Sequence, residues 1–171
     1  MTIKNFLMKY RQTIYMSISA VLIILFFMPW FSNNPDLDTF AYKEGYYSGF
    51  SLFRGLQTIL PVVLGLLQAL GYMFLPNLLY LGYVIILLPA MGLAGIVFSG
   101  LRKNYAPILH LIHYISTFVL MLIFLVGMIA LKDAREMFLS IFRMGFGFSA
   151  SFFVSFVGIV YHFVLKHYSK G

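Results

Sequence analysis

The chain has 171 residues, of which 61% are hydrophobic and only 10% charged, and it carries a formal net charge of +7. Soluble domains hold about 25% charged residues, so a water-soluble core cannot absorb this sequence, and a single transmembrane domain over residues 1–171 is expected. The absence of cysteine excludes disulfide exchange, thiolate metal centres, iron–sulfur clusters and a cysteine nucleophile.

Lys4, Lys9 and Arg11 form a basic start, followed by the charge-free run Thr13 to Trp30. An apolar run of about 18 residues or more crosses a hydrocarbon layer of roughly 30 Å as a helix. The run ends in the bulky Phe27-Met28-Pro29-Trp30-Phe31, where a cleavable leader needs small residues, so it reads as an uncleaved anchor. No cysteine or second-position glycine offers a lipidation site.

Ser32 to Ser48 is the longest polar-leaning stretch. The aromatic run Tyr46 to Phe53 follows, with Gly49 as a bend; its strand formers predict a short extended segment on the outer mouth of a helix bundle. Trp30, Gly49 and Phe50 are the outer-loop residues singled out. Trp30 together with the Gly49-to-Leu52 segment resembles the tryptophan and glycine–leucine pattern in the first loop of claudin-type tetraspan proteins. The resemblance covers about 25 residues and lacks that family's paired cysteines. No function is carried across.

Leu56 to Phe74 is uncharged but interrupted by Gln57, Pro61, Gly65, Gln68 and Gly71, and it ends in the turn signal Leu75-Pro76-Asn77. It reads as an outer interfacial or re-entrant helix at about 55–74, the alternative being a fifth span. The next apolar run, Leu78 to Gly100, carries a small-residue ridge at Ala90 and Ala94, with Gly95 and Ser99 beside it. Pro89 is expected to kink it.

His110 and His113 open the third span, which continues as the uncharged run Ile115 to Leu131. Between Lys132 and Phe142, the spacing of Met137, Phe138, Ile141 and Phe142 predicts a short amphipathic connector. The last run, Met144 to Leu165, holds one ionisable group, His162, and the ridge Gly147, Ser151, Ser155, Gly158. Small residues permit close backbone approach where lipid removes the hydrophobic drive for helix pairing. Packing within one subunit and packing between copies in a homo-oligomer both fit such ridges. Trp30, Tyr80, Tyr105, Tyr161 and Tyr168 fall near span ends, as interfacial anchors do.

The expected fold is therefore all-α: four transmembrane helices at about 12–31, 77–101, 106–131 and 144–166, plus the outer helix. With the N-terminus inside, the inner segments hold seven Lys and Arg, among them Arg102, Lys103, Lys166 and Lys170, and no carboxylate. The outer segments hold five cations and all five carboxylates. A fifth span would leave the cations six against six and erase the bias. Both termini are thus expected in the cytoplasm, with the chain in the bilayer of a bacterial inner membrane.

No carboxylate falls within a span, which disfavours ion-coupled transport. The four histidines fall toward the basic end. Their plain reading is interfacial hydrogen bonding; the sharper one is haem or metal ligation, for which His113 with His162 is the pair to test. No carboxylate on that face orients an imidazole, and no cofactor, metal or catalytic residue is assigned. Ser155, two turns from His162, carries only a weak hint of a nucleophile. The basic face suits an anionic leaflet or an acidic cytoplasmic protein partner, and no nucleic-acid-reading module is visible.

The leading expectation is a small non-enzymatic membrane subunit that oligomerises and anchors or signals to that partner, with the outer loop sensing envelope events. The alternatives are an oligomeric pore with Ser151 and Ser155 on its axis, a haem- or metal-binding redox protein, and an immunity protein against a membrane-active toxin.

Overall fold

The computed structural model describes residues 3–33, 45–55, 85–130 and 142–169, together with 132, 135, 136 and 139. Residues 56–74 of the expected outer helix, most of the 132–142 connector, Tyr80 and Lys170 lie outside the described residues. The described chain is mostly helical: α1 Ile3–Lys9, α2 Arg11–Phe27, α3 Leu87–Gly100, α4 Ala106–Ala130 and α5 Phe146–Tyr168. Three short strands join them, β1 Pro29–Asn33, β2 Tyr46–Ser48 and β3 Phe142–Met144.

Two helices, α4 with 25 residues and α5 with 23, are long and apolar enough to cross a membrane. At 1.5 Å per residue they extend about 38 and 35 Å. The apolar α2 and α3 are shorter, 17 and 14 residues.

Helix α2 stops at Phe27, not at residue 31 as the apolar run suggested. Pro29 is the cause: it disfavours helical backbone at Met28, which is extended at φ −79° and ψ 157°. Pro29-Trp30-Phe31 then run as strand. β1 is the centre of a three-stranded antiparallel sheet, flanked by β2 and β3. Proline at the head of a strand withholds no ladder donor that the sheet requires. Pro89 likewise produces no interior break among the described residues. It is the third residue of α3, in the first turn, where its missing N–H forfeits no helical bond.

The helices form a bundle in which α2 and α4 each pack against both α3 and α5. Near the sheet, Phe26, Trp30, Phe31, Leu88, Met121 and Phe148 make one buried cluster. Toward the other end, Tyr15, Leu22, Leu25, Tyr114 and Leu165 make a second. The small residues decide which faces meet. Gly147, Ser151, Ser155 and Gly158 are all buried inside this chain. A Cβ on Gly158 would stand 2.6 Å from the Tyr114 ring, and one on Gly147 2.8 Å from the Pro29 carbonyl oxygen. That ridge is filled by the chain's own residues and is closed to a second copy.

On α3 the buried line is Leu88, Pro89, Gly92, Gly95 and Ser99. Ala90 is exposed and Ala94 half-buried, so the ridge is rotated from the one expected. The reason is that imidazoles, not helix backbones, fill the α3–α4 contact, and only glycine leaves them room.

Among the described residues the outward helix faces are largely apolar. Ile108, Ile115, Ile123 and Ile129 of α4 and Phe153, Val157 and Phe163 of α5 all stand exposed.

Candidate functional site

The starts of α2 and α4 and the ends of α3 and α5 meet at the end of the bundle opposite the sheet. Beneath this end lies a buried polar core. Its axis is His110 on α4: Nδ1 lies 2.6 Å from Ser19 Oγ of α2, and Nε2 lies 2.9 Å from Ser99 Oγ of α3. His110 and Ser19 are both fully enclosed. A neutral imidazole has one donor nitrogen and one acceptor nitrogen, and two hydroxyls, each able to donate or accept, satisfy both.

One turn on, His113 Nδ1 approaches the same Ser19 Oγ at 3.5 Å. Tyr114 Oη donates to the Tyr15 carbonyl oxygen at 2.8 Å and receives a long contact of 3.4 Å from Ser19. Two glycines of α3 make this possible. A Cβ on Gly92 would meet His113 Cε1 at 2.5 Å, and one on Gly95 would meet His110 Nδ1 at 2.8 Å. The stacked rings of Tyr15 and His110, 5.5 Å between centroids, close the side toward the basic end.

The third histidine meets a different partner. His162 Nδ1 on α5 lies 2.8 Å from Tyr15 Oη. Thus the pair singled out for a bis-imidazole test, His113 and His162, is not brought onto a common partner: Ser19 holds one and Tyr15 the other, a turn apart on α2. His167 is exposed beyond the bundle.

The serines of α5 turn inward onto their own helix. Ser151 Oγ donates to the Gly147 carbonyl oxygen at 2.7 Å and Ser155 Oγ to that of Phe152 at 2.9 Å. Such back-bonding uses up the hydroxyl proton. Both side chains are buried in the subunit, so neither lines an axis between copies, and Ser155 does not bond His162.

Above this core sits the basic end. Arg102 and Lys103 are exposed in the corner between α3 and α4, and Arg11 and Lys166 are exposed nearby on α2 and α5. The corner is a Schellman cap: Lys103 N donates to the Phe98 carbonyl oxygen at 2.9 Å and Arg102 N to that of Ser99 at 2.9 Å. Glycine is the usual residue at the left-handed position of this motif, yet Arg102 occupies it, with φ 54°.

The sheet end holds the outer-loop residues. Trp30 is only 3% exposed, its indole N–H donating to the Leu25 carbonyl oxygen at 2.9 Å. It is therefore a core residue and not the interfacial anchor that its place in the sequence suggested. Gly49 is buried against the Phe26 and Trp30 rings, where a Cβ would stand 2.7 Å from Phe26. Phe50 is exposed beside Phe27.

Sequence reasoning found the histidines, but it missed Tyr15, Ser19, Gly92 and Tyr114, and it noted Ser99 only as a packing residue. The available signal was a polar side chain at mid-run in an apolar helix, which needs a partner on another helix. The fold and this core define a helical bundle with an imidazole–hydroxyl centre below a cationic end. No protein-family model, curated protein or solved structure matches the chain.

Proposed function

We propose that the chain is a four-span integral membrane protein, both termini cytoplasmic, that acts without chemistry of its own as a membrane anchor for an acidic cytoplasmic partner. The observation that carries this reading is the division of the surface. Among the described residues, the outward helix faces are largely apolar, and one end of the bundle presents cations with no carboxylate.

A soluble monomer rarely exposes a contiguous apolar patch beyond a few hundred Å², and exposed apolar side chains on each of α2, α3, α4 and α5 are what a lipid environment accepts. The two longer helices support insertion by length, and the cation bias supports the orientation. Docking at the corner is favoured by Arg102. A left-handed arginine costs about 1 kcal/mol relative to glycine, and strain retained in a polar corner points to use of the side chain. The hydrogen-bonded core beneath holds α2, α3 and α4 in fixed relation, so the charges above it keep a fixed pattern.

The experiment is purification from gently solubilised membranes, comparing the native chain with Arg102→Glu/Lys103→Glu. An acidic cytoplasmic protein that leaves with the double substitution and at high salt supports the reading. Recovery of the chain without such a protein in either sample removes it.

A further inference from the structure

At the basic end the bundle does not close. Arg11 and Tyr15 of α2, Pro107 of α4 and His162 and Lys166 of α5 line an open cleft of about 160 Å³. This is far smaller than the several hundred Å³ of a site for a drug-sized ligand; it suits one small polar group.

The chemistry of the wall is one-sided. Arg11 and Lys166 are cations, and Arg11 presents a fork of N–H donors that matches paired oxygens. In the sequence every carboxylate, at positions 36, 38, 44, 133 and 136, falls in the segments that follow α2 and α4, and none is among the residues that line the cleft. His162 Nδ1 lies 2.8 Å from the Tyr15 phenol oxygen, and in the tautomer where the phenol donates to Nδ1 the imidazole proton sits on Nε2. Ser169 Oγ, also at the cleft, already donates to the Lys166 carbonyl oxygen at 3.0 Å.

We propose that this cleft binds a phosphate oxyanion, held by Arg11 and Lys166 as charge partners and by His162 Nε2–H as a neutral donor, with Tyr15 fixing the imidazole. The binding is separate from protein docking on Arg102 and Lys103, which do not line the cleft. The phosphate is supplied by a phospholipid headgroup of the adjoining leaflet or by a soluble phosphate at the membrane surface; the chemistry is shared.

The test uses the full chain in nanodiscs of phosphatidylcholine, with and without phosphatidylglycerol, and in detergent with inorganic phosphate or chloride at matched ionic strength. Native mass spectrometry reads retained lipid, and a thermal midpoint reads phosphate binding. Arg11→Gln/Lys166→Gln is compared with Arg102→Gln/Lys103→Gln, which removes the same charge from the same end. All four residues are exposed, and the single variant Lys166→Gln serves if the first double variant folds poorly.

Retention of phosphatidylglycerol reduced about tenfold by the cleft variants and unchanged by the corner variant establishes a headgroup site. A phosphate-specific rise in midpoint with the same variant pattern, without retained lipid, establishes a soluble ligand. Equal loss in both double variants, or loss in neither, overturns the proposal, and a partner still bound at Arg102 and Lys103 leaves the docking reading standing.

Discussion

Gly92 of α3 and His113 of α4 are matched as socket and plug: a single methyl group on the glycine would stand 2.5 Å from the imidazole Cε1. The ring has no room to yield, because it is 2% exposed and packs against Tyr114. Alanine there gains about 1 kcal/mol of helix propensity but overpacks the contact by about 1–3 kcal/mol. Gly92→Ala is therefore expected to lower the thermal midpoint of the purified protein. His113→Ala in the same chain is expected to recover part of the loss, a coupling of at least about 0.5 kcal/mol.

Ser19 is the hydroxyl on which both buried imidazoles converge. Ser19→Ala leaves a His110 nitrogen without its partner. Hydrogen bonds between helices in lipid contribute about 1–2 kcal/mol at most, so a loss of that size is expected in a detergent unfolding titration. Ser17→Ala, on the exposed face of the same helix, is expected to stay within about 0.5 kcal/mol of the native chain.

The chain contains a single tryptophan, which makes Trp30 its own reporter. Enclosed by Phe26 and Phe148, its fluorescence is expected to be blue-shifted and resistant to a water-soluble quencher. Gly49→Leu, which drives a side chain into the Phe26 and Trp30 rings, is expected to expose it. Easy quenching of the native protein would contradict the burial of its indole.

The apolar runs announced α2, α4 and α5 because a long helix in an apolar setting needs little else. Of the strands only β2 was legible, from the strand formers that open the Tyr46 to Phe53 run, although that run turns helical at Gly49. β1 was not, because Pro29, Trp30 and Phe31 continue the apolar run of α2, and only backbone sterics at proline separate helix from strand there. Nor was the facing of α3. Ala90 and Gly92 are both small, and two residues turn a helix by about 200°. What selects the glycine side is the size of His110 and His113 on another helix, which local sequence does not record. The polar core was half visible for the same reason: histidines in a span attract notice, but Ser19 and Ser99 acquire meaning only from the imidazole between them.

Arg102→Gly separates stability from use. Glycine fits the left-handed corner without strain, so the variant is expected to be more stable by about 1 kcal/mol. Association with the acidic partner is expected to weaken in the same protein. A variant that is more stable and docks unchanged would make Arg102 a tolerated residue of the turn.

The most direct measurement of the central claim is sidedness, and a cysteine-free chain invites it. Lys103→Cys and Tyr46→Cys, both at exposed positions, are labelled in intact cells and in inverted vesicles with a membrane-impermeant maleimide. The account predicts that Tyr46→Cys reacts only in intact cells and Lys103→Cys only in inverted vesicles. Labelling of Lys103→Cys from the outside would contradict it, because the cationic end would then face away from the cytosol and from any partner there.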